Sequence, residues 1–265
     1  MFAIANSRRW SRFWKASSVL PCLLVGLGFA TLSHGAAEPI SDAKARWCGS
    51  AQHRLSAAQT RFANDPTNPI TAWEYARATF ERAEFSTNNA ERAALAVHGI
   101  DACRQALARD DRLGPAYFYL GLNLGQLART KLLSALKMVD EMERSLKTAA
   151  SLDEGFNHAG PDRILGLLYY QAPVIGSVGS RAKARKHLER AAELDPGFPA
   201  NRLNLAEAYL KWREKKPLQR ELDALEKLWA AAQTTLAGPD WEPQWADWTK
   251  RIKNLRTLSE EFLKR

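Results

Sequence analysis

Past position 37 the chain carries four histidines, His53, His98, His158 and His187, and two cysteines, Cys48 and Cys103. These side chains could serve as bases, nucleophiles or metal ligands. Their spacing gathers none of them. No His-Glu-x-x-His pair places two imidazoles on one helix face, and no glycine-rich phosphate loop or G-x-G-x-x-G run is present. Two cysteines far apart make no zinc site. His158 stands just before Gly160-Pro161 and is the least bland of the four, but no partner at a useful spacing gives it a role. The residues therefore read as a chain without catalytic residues, cofactor or metal. The cysteines leave two readings open, a Cys48–Cys103 disulfide or two small buried thiols.

Chemistry of another kind is implied by the elements. From Ser41 onward a 3.6-residue apolar period dominates, with no sustained strict alternation. Pro66, Pro69, Pro115, Pro161, Pro173, Pro196, Pro199, Pro217, Pro239 and Pro243 bracket helical stretches, as helix boundaries should. Four helix-opening segments align: Thr71–Phe80, Ala116–Leu124, Asp162–Tyr169 and Asn201–Tyr209. The last three share a leucine followed by a small residue: Leu120-Gly121, Leu165-Gly166 and Leu205-Ala206. Segments Cys103–Asp111, Leu146–Glu154 and Leu188–Pro196 also recur before them. Small residues let two helices of a hairpin approach, and Tyr117, Leu120, Tyr169, Leu205 and Tyr209 are the knobs that fill the space between hairpins. An acid followed by proline or glycine then turns the chain.

On these residues the chain resembles the tetratricopeptide-repeat (TPR) family over most of 68–215, most closely at Ala184–Tyr209 with its Leu194-Asp195-Pro196 turn. The resemblance implies an all-α solenoid of helical hairpins. Two departures stand out. Gly121 and Gly166 are 45 residues apart, and Gly166 and Ala206 are 40 apart, against about 34 in the standard repeat. Arg77 stands where the alignment expects glycine, so the first copy reads as degenerate. Gly160–Tyr169, with Ala172-Pro173 and Ile175-Gly176-Ser177, is also similar to the T-component family associated with periplasmic TRAP-type transporters. That resemblance implies a helical-repeat subunit partnering a periplasmic solute-binding protein, with a channel or groove for apolar organic solutes.

The flanks read as further helices. Trp47, Ala51, Leu55, Ala58 and Phe62 form one apolar face of a leading helix over 41–64. A helix over 218–236 turns Leu222, Leu225 and Trp229 inward. A last helix over 240–264, capped by Asp240, carries Trp241, Trp245, Trp248, Ile252, Leu255, Leu258 and Phe262. Its opposite face, Lys250, Arg251, Lys253, Asn254 and Arg256, suits the polar outside of a solenoid cap.

The chain has 265 residues and a formal net charge of +9, with 46% hydrophobic and 25% charged residues. These proportions exclude collagen-like, wholly disordered and polytopic membrane chains. Residues 1–37 hold no acid. Arg8, Arg9, Arg12 and Lys15 precede an apolar run from Ala16 to Leu32, and Ser33-His34-Gly35-Ala36-Ala37 follows. That is the order of a secretory signal peptide, cleaved after Ala37 or after Gly35. The other reading, a retained anchor, needs a longer run without Pro21. Removing 1–37 leaves 228 residues and +5, too weak and dispersed a charge for a nucleic-acid groove. The expected protein is periplasmic or secreted, with one helical-repeat domain over 38–265 and no stable membrane span.

Stacked helix pairs line a concave surface with their first helices. Placing the repeat positions on that surface selects Phe118, Leu122 and Gln126 from one copy, Arg163, Leu167 and Tyr170 from the next, and Leu203 and Glu207 from the last; burial of several of them against neighbouring helices is the other reading, equally open for Leu167 and Leu203. Between two helices of one hairpin, the loop Gln171–Arg181 offers Val174, Ile175 and Val178 for contact unless it folds inward. The sequence therefore reads as an exported, non-catalytic adaptor that binds a protein partner, with a TRAP-type solute-binding subunit as its leading candidate. The alternative is an envelope scaffold for cell-wall or secretion machinery.

Overall fold

Local signals start the helices where the sequence places them. Asn68 caps one by accepting from the Ile70 amide, with Pro69 in its first turn. Asn88 accepts from the Glu91 amide and Ser180 from the Lys183 amide at two further starts. Each satisfies an amide that the helix itself leaves unpaired. The computed structural model describes residues 39–131 and 135–264. Within them are α1 (Pro39–Asn64), α2 (Pro69–Ala83), α3 (Asn89–Leu107), α4 (Gly114–Ala128), α5 (Ala135–Leu152), α6 (Phe156–Gln171), α7 (Arg181–Leu194), α8 (Pro199–Trp212), α9 (Lys215–Thr235) and α10 (Glu242–Lys264). A 3-10 turn, Pro239–Trp241, precedes α10, and the described residues contain no strand. The leader expected over 1–37 and its cleavage point lie outside the described residues.

The helices pair as α2/α3, α4/α5, α6/α7 and α8/α9, with α1 packed on α2 and α10 on α8. This is an all-α, TPR-like solenoid of four hairpins with a leading helix and a C-terminal cap. Close approach within a hairpin needs the small residues. A Cβ on Gly166 would stand 2.9 Å from the backbone nitrogen of Leu188 on α7. The degenerate reading of the first copy is corrected here. Ala76, Gly121 and Ala206 each lie seven residues into α2, α4 and α8, and Ala76 and Ala206 are fully buried. Ala76, not Arg77, is the small residue of the first hairpin.

Between hairpins a tyrosine latch repeats. Tyr169 on α6 donates its hydroxyl to Glu143 on α5 at 2.6 Å, and Tyr209 on α8 donates to Glu189 on α7 at 2.6 Å. Both rings are buried, so each aromatic knob fills the inter-hairpin gap while its polar end finds an acceptor. The long repeats have local causes. α5 runs for 18 residues, and a loop of residues 172–180 separates α6 from α7.

Two flank expectations change. The cap helix begins at Glu242 after the 3-10 turn, so Asp240 is not its N-cap. Leu258 is 58% exposed while Ser259 is buried, because the inward stripe drifts one position by the last turns. Cys48 and Cys103 are both free thiols. Cys103 is wholly buried in the core, and Cys48 is half-buried on α1. Burial pushes the Cys103 thiol well above its ordinary range.

Candidate functional site

The first helices of the hairpins face one another across the inside of the solenoid. On α2 and its C-cap the stripe is Arg77, Phe80, Glu81 and Glu84, spaced by three and four residues as one helix face requires. Facing it are Tyr119 and Leu122 from α4, then Arg163, Ile164 and Leu167 from α6, and Ala200 and Asn204 from α8. These residues surround a cavity of about 410 Å³. No lining residue comes from α3, α5, α7 or α9, which form the outer layer.

The two flanks close this cavity. Trp47, Ser50 and Arg54 of α1 line it from one side, and Asp240, Trp241, Gln244 and Trp248 from the other. They meet across its mouth. Trp47 donates its indole N–H to Glu242 at 3.1 Å, and the Arg54 guanidinium stands 3.7 Å from Asp240. The cap is locked to the last hairpin by Arg251, which donates Nε and Nη2 to the two carboxylate oxygens of Glu207, each at 2.9 Å. Asp247, at 3.4 Å from Arg251, is held above the ordinary carboxylate range by its burial.

One wall is built from unusual backbone. Asn157, His158 and Ala159 take φ of 52°, 60° and 56° in succession, all in the left-handed region. For residues other than glycine that region costs about 1–2 kcal/mol each. Arg163 holds the turn, donating to the His158 carbonyl at 2.6 Å, the Asn157 carbonyl at 3.0 Å and the Asn201 side-chain oxygen at 3.2 Å. Burial pulls the Arg163 pKa down to about 10, with Asp195 opposing that shift. The His158 ring stacks on Phe198 at 4.2 Å and meets the edge of Trp241 at 5.7 Å. Its Nδ1 lies 2.7 Å from an Asp195 carboxylate oxygen, which leaves Nε2 as the ring's other polar atom. The partner that sequence spacing did not supply for His158 is thus Asp195, brought by the turn before α8.

Three of the eight residues selected for the groove, Leu122, Arg163 and Leu167, come together on the cavity wall. Phe118 and Leu203 are fully buried between helix layers. Gln126 is also buried, donating to Glu84 and accepting from Arg129. Glu207 is engaged by Arg251, so this acid and Arg251 of the expected polar outer face both serve as cap anchors. Tyr170 lies under Lys211, whose ammonium is 4.3 Å from its ring, and edge-on to Trp212. The register explains the differences. Phe118, Leu122 and Gln126 are spaced by four, and such a row winds away from the narrower stripe facing the cavity. The lining residues missed in the sequence include Arg77, Phe80, Tyr119, Asn157, His158 and Trp241. Aligning the first hairpin on Ala76 would have exposed Arg77.

The polar lining is mostly paired. Glu84 is 5% exposed, and its burial raises its pKa against the pull of Arg129 and Gln126. Arg54 and Arg77 both donate to Glu81. Burial also pushes up the Tyr119 hydroxyl, with Arg77 acting in the opposite sense. Gln244 adds a buried side-chain oxygen that has no hydrogen-bond partner. The wall thus combines aromatic faces with a few fixed charges, the usual make-up of an organic ligand or anchor-residue pocket. A second depression, about 550 Å³ on the outside of α7, is lined almost wholly by charged residues. Several are paired there, including His187 with Asp162 at 2.6 Å. Among the described residues no cluster of histidine, cysteine and carboxylate side chains could hold a metal ion, and no helix is long and apolar enough to cross a membrane.

In the contact loop, Val174 and Ile175 are 73% and 91% exposed. Val178 instead packs partly against the core.

Among solved structures the chain is similar to TTC0263, a thermophilic TPR protein of Thermus thermophilus. The identity is 20% over 79% of this chain and 92% of that one, with a TM-score of 0.54. It is also similar to the structure of Pseudomonas aeruginosa pilF, at 16% identity over 85% and 90% of the two chains and a TM-score of 0.49. No protein-family model matches the chain, and no curated protein does.

Proposed function

We propose that this chain is an exported, non-catalytic helical-repeat adaptor that takes part of a protein partner into its concave cavity. The observation that carries the reading is the convergence of α2, α4, α6 and α8 on one cavity, closed by elements from both flanks. Such a surface recognises rather than transforms. Its aromatic faces offer large contact area and its arginines offer fixed donors, the residue types that dominate binding hot spots. Pre-organisation supports the same role, because Arg163 and Arg251 are already locked and need no ordering when a partner arrives.

The acid-free basic start, apolar run and small-residue end of 1–37 support export to the periplasm or beyond. The resemblance of Gly160–Tyr169 to the T-component family makes a TRAP-type solute-binding subunit the leading partner.

Affinity capture from a periplasmic extract tests the proposal. Recovery of a solute-binding protein by the parent chain, lost in Leu167→Arg and Trp241→Ala variants that keep their helical circular dichroism, supports it. Recovery of cell-wall or secretion proteins alone would favour an envelope scaffold. Equal recovery by parent and variants would remove the cavity from the interaction.

A further inference from the structure

Helical hairpins place the C-terminal ends of α6 and α8 and the N-terminal ends of α7 and α9 along one edge of the solenoid. Side-chain contacts confirm the juxtaposition. Arg181 and Arg185 of α7 both engage Glu214 before α9, and Tyr170 meets the edge of Trp212. The end of α10 joins them, since Arg213 lies over the Phe262 ring at 4.7 Å and Lys215 reaches the Leu263 carbonyl.

This edge is basic. Arg181, Lys183, Lys211, Arg213, Lys215 and Lys216 are all exposed on it, and Lys264 lies at its far end. Glu214 lies in their midst, the end of α10 adds the exposed acids Glu260 and Glu261 beside Lys264, and Lys183 also stands 3.6 Å from Glu143. The opposite edge, at the α5–α6 and α7–α8 turns, carries Asp153, Glu154, Glu193 and Asp195. Neither α7 nor α9 has an acid in its first turn. Cations at a helix N-terminus oppose the helix dipole, so helix electrostatics do not account for Arg181, Lys183, Lys215 and Lys216 at the starts of α7 and α9.

From the same edge projects an apolar tip. Val174 and Ile175 stand almost fully out of the surface. The loop is built to display them. Its base is pinned by Gly179 N–H to the Pro173 carbonyl at 3.1 Å and Ser180 N–H to the Tyr169 carbonyl at 3.0 Å. A Cβ at Gly179 would collide with the Ala172 carbonyl oxygen, so the pinch needs glycine. Val178 is drawn in against the core, leaving the two residues of the tip exposed.

We propose that this edge rests on an anionic lipid bilayer, with Val174 and Ile175 inserted at the headgroup boundary and the lysines and arginines over acidic headgroups. Charge complementarity selects that occupant, and the half-buried Tyr170 and Trp212 are the ring types that settle at such interfaces. Each basic residue near an acidic membrane adds roughly fivefold to binding. The proposal does not depend on what occupies the cavity.

Site-resolved hydrogen exchange on the full chain tests it, because the loop is then read separately from the apolar run at 16–32. The probes are phosphatidylglycerol–phosphatidylethanolamine vesicles, phosphatidylcholine vesicles, and polyglutamate without lipid. The amides of 174–178 should slow at least tenfold with the anionic vesicles and not with the neutral ones. Val174→Ser/Ile175→Ser should abolish this protection. Neutralising Lys183, Lys216 and Lys264 to Gln should weaken vesicle binding on the order of a hundredfold, with circular dichroism unchanged. Unchanged loop exchange, or equal protection by neutral vesicles, would overturn the proposal. Protection by polyglutamate and none by vesicles would overturn it in favour of an acidic protein.

Discussion

Arg163 donates a hydrogen bond at 2.6 Å to the main-chain carbonyl of His158, five residues earlier in the same chain segment. That contact holds a left-handed turn against its intrinsic cost and seats an aromatic-stacked histidine in the cavity wall. It also ties the third hairpin to the fourth, because Asn201 of α8 donates to the same carbonyl at 3.2 Å.

Replacing Arg163 with methionine should therefore destabilise the fold by about 3 kcal/mol, since charged hydrogen bonds to buried acceptors are lost together. Urea unfolding measures the loss. An Arg163→Lys variant should recover less than half of it, because a single ammonium does not reproduce the planar fork that reaches two successive carbonyls.

Gly166→Ala should cost about 1–3 kcal/mol, the usual penalty for overpacking a close helix contact. The added Cβ would meet both the Leu188 side chain and its backbone nitrogen, and backbone cannot move aside cheaply. Thermal unfolding checks the size, and faster amide exchange confined first to α6 and α7 checks the place.

The clasp between α1 and the cap should behave differently. Glu242→Ala removes the indole hydrogen bond from Trp47 and the ion pair at 4.0 Å with Arg46, both exposed. The stability change should stay within about 1 kcal/mol, as for exposed ion pairs generally. Exchange of the amides around Ser50 and Arg54 should nevertheless quicken, because the cavity mouth keeps only the Arg54–Asp240 pair between the two flanks.

Glu84 gives a pH dependence with a definite sign. Its folded pKa is raised above the ordinary 4.5 by burial. A carboxyl of this kind favours the folded state while protonated, so its contribution is full below 4.5 and is lost as pH rises through the raised value. Glu84→Gln removes that loss. The variant should gain stability relative to the parent as pH rises across this window, and paired melts at successive pH values measure it.

The fold was legible because it rests on local signals. The prolines, Leu194-Asp195-Pro196 and the leucine–small-residue pairs each set a helix end or a close contact within tens of residues. The cavity was less so. Which face of α4 looks inward depends on how α2 and α6 pack beside it, and a spacing of four from Phe118 reaches the cavity wall at Leu122 but the buried side at Phe118 and Gln126. His158 found Asp195 only because the left-handed turn brings them together across 37 positions. No spacing rule contains that turn, since Asn157, His158 and Ala159 are not glycines. The cap changed the role of Glu207 for the same reason. Arg251 lies 44 residues away, and its solvent-facing place in a helical pattern gave no sign of that acid.

The central claim is that binding takes place inside the solenoid. A photoreactive residue placed at Arg77 or Trp241, on the cavity wall, and at Lys227, exposed on α9, tests it directly in living cells. The account predicts crosslinked adducts to one protein partner from positions 77 and 241, with little or none from 227. Adducts from 227 alone, with the two cavity positions silent, would contradict it.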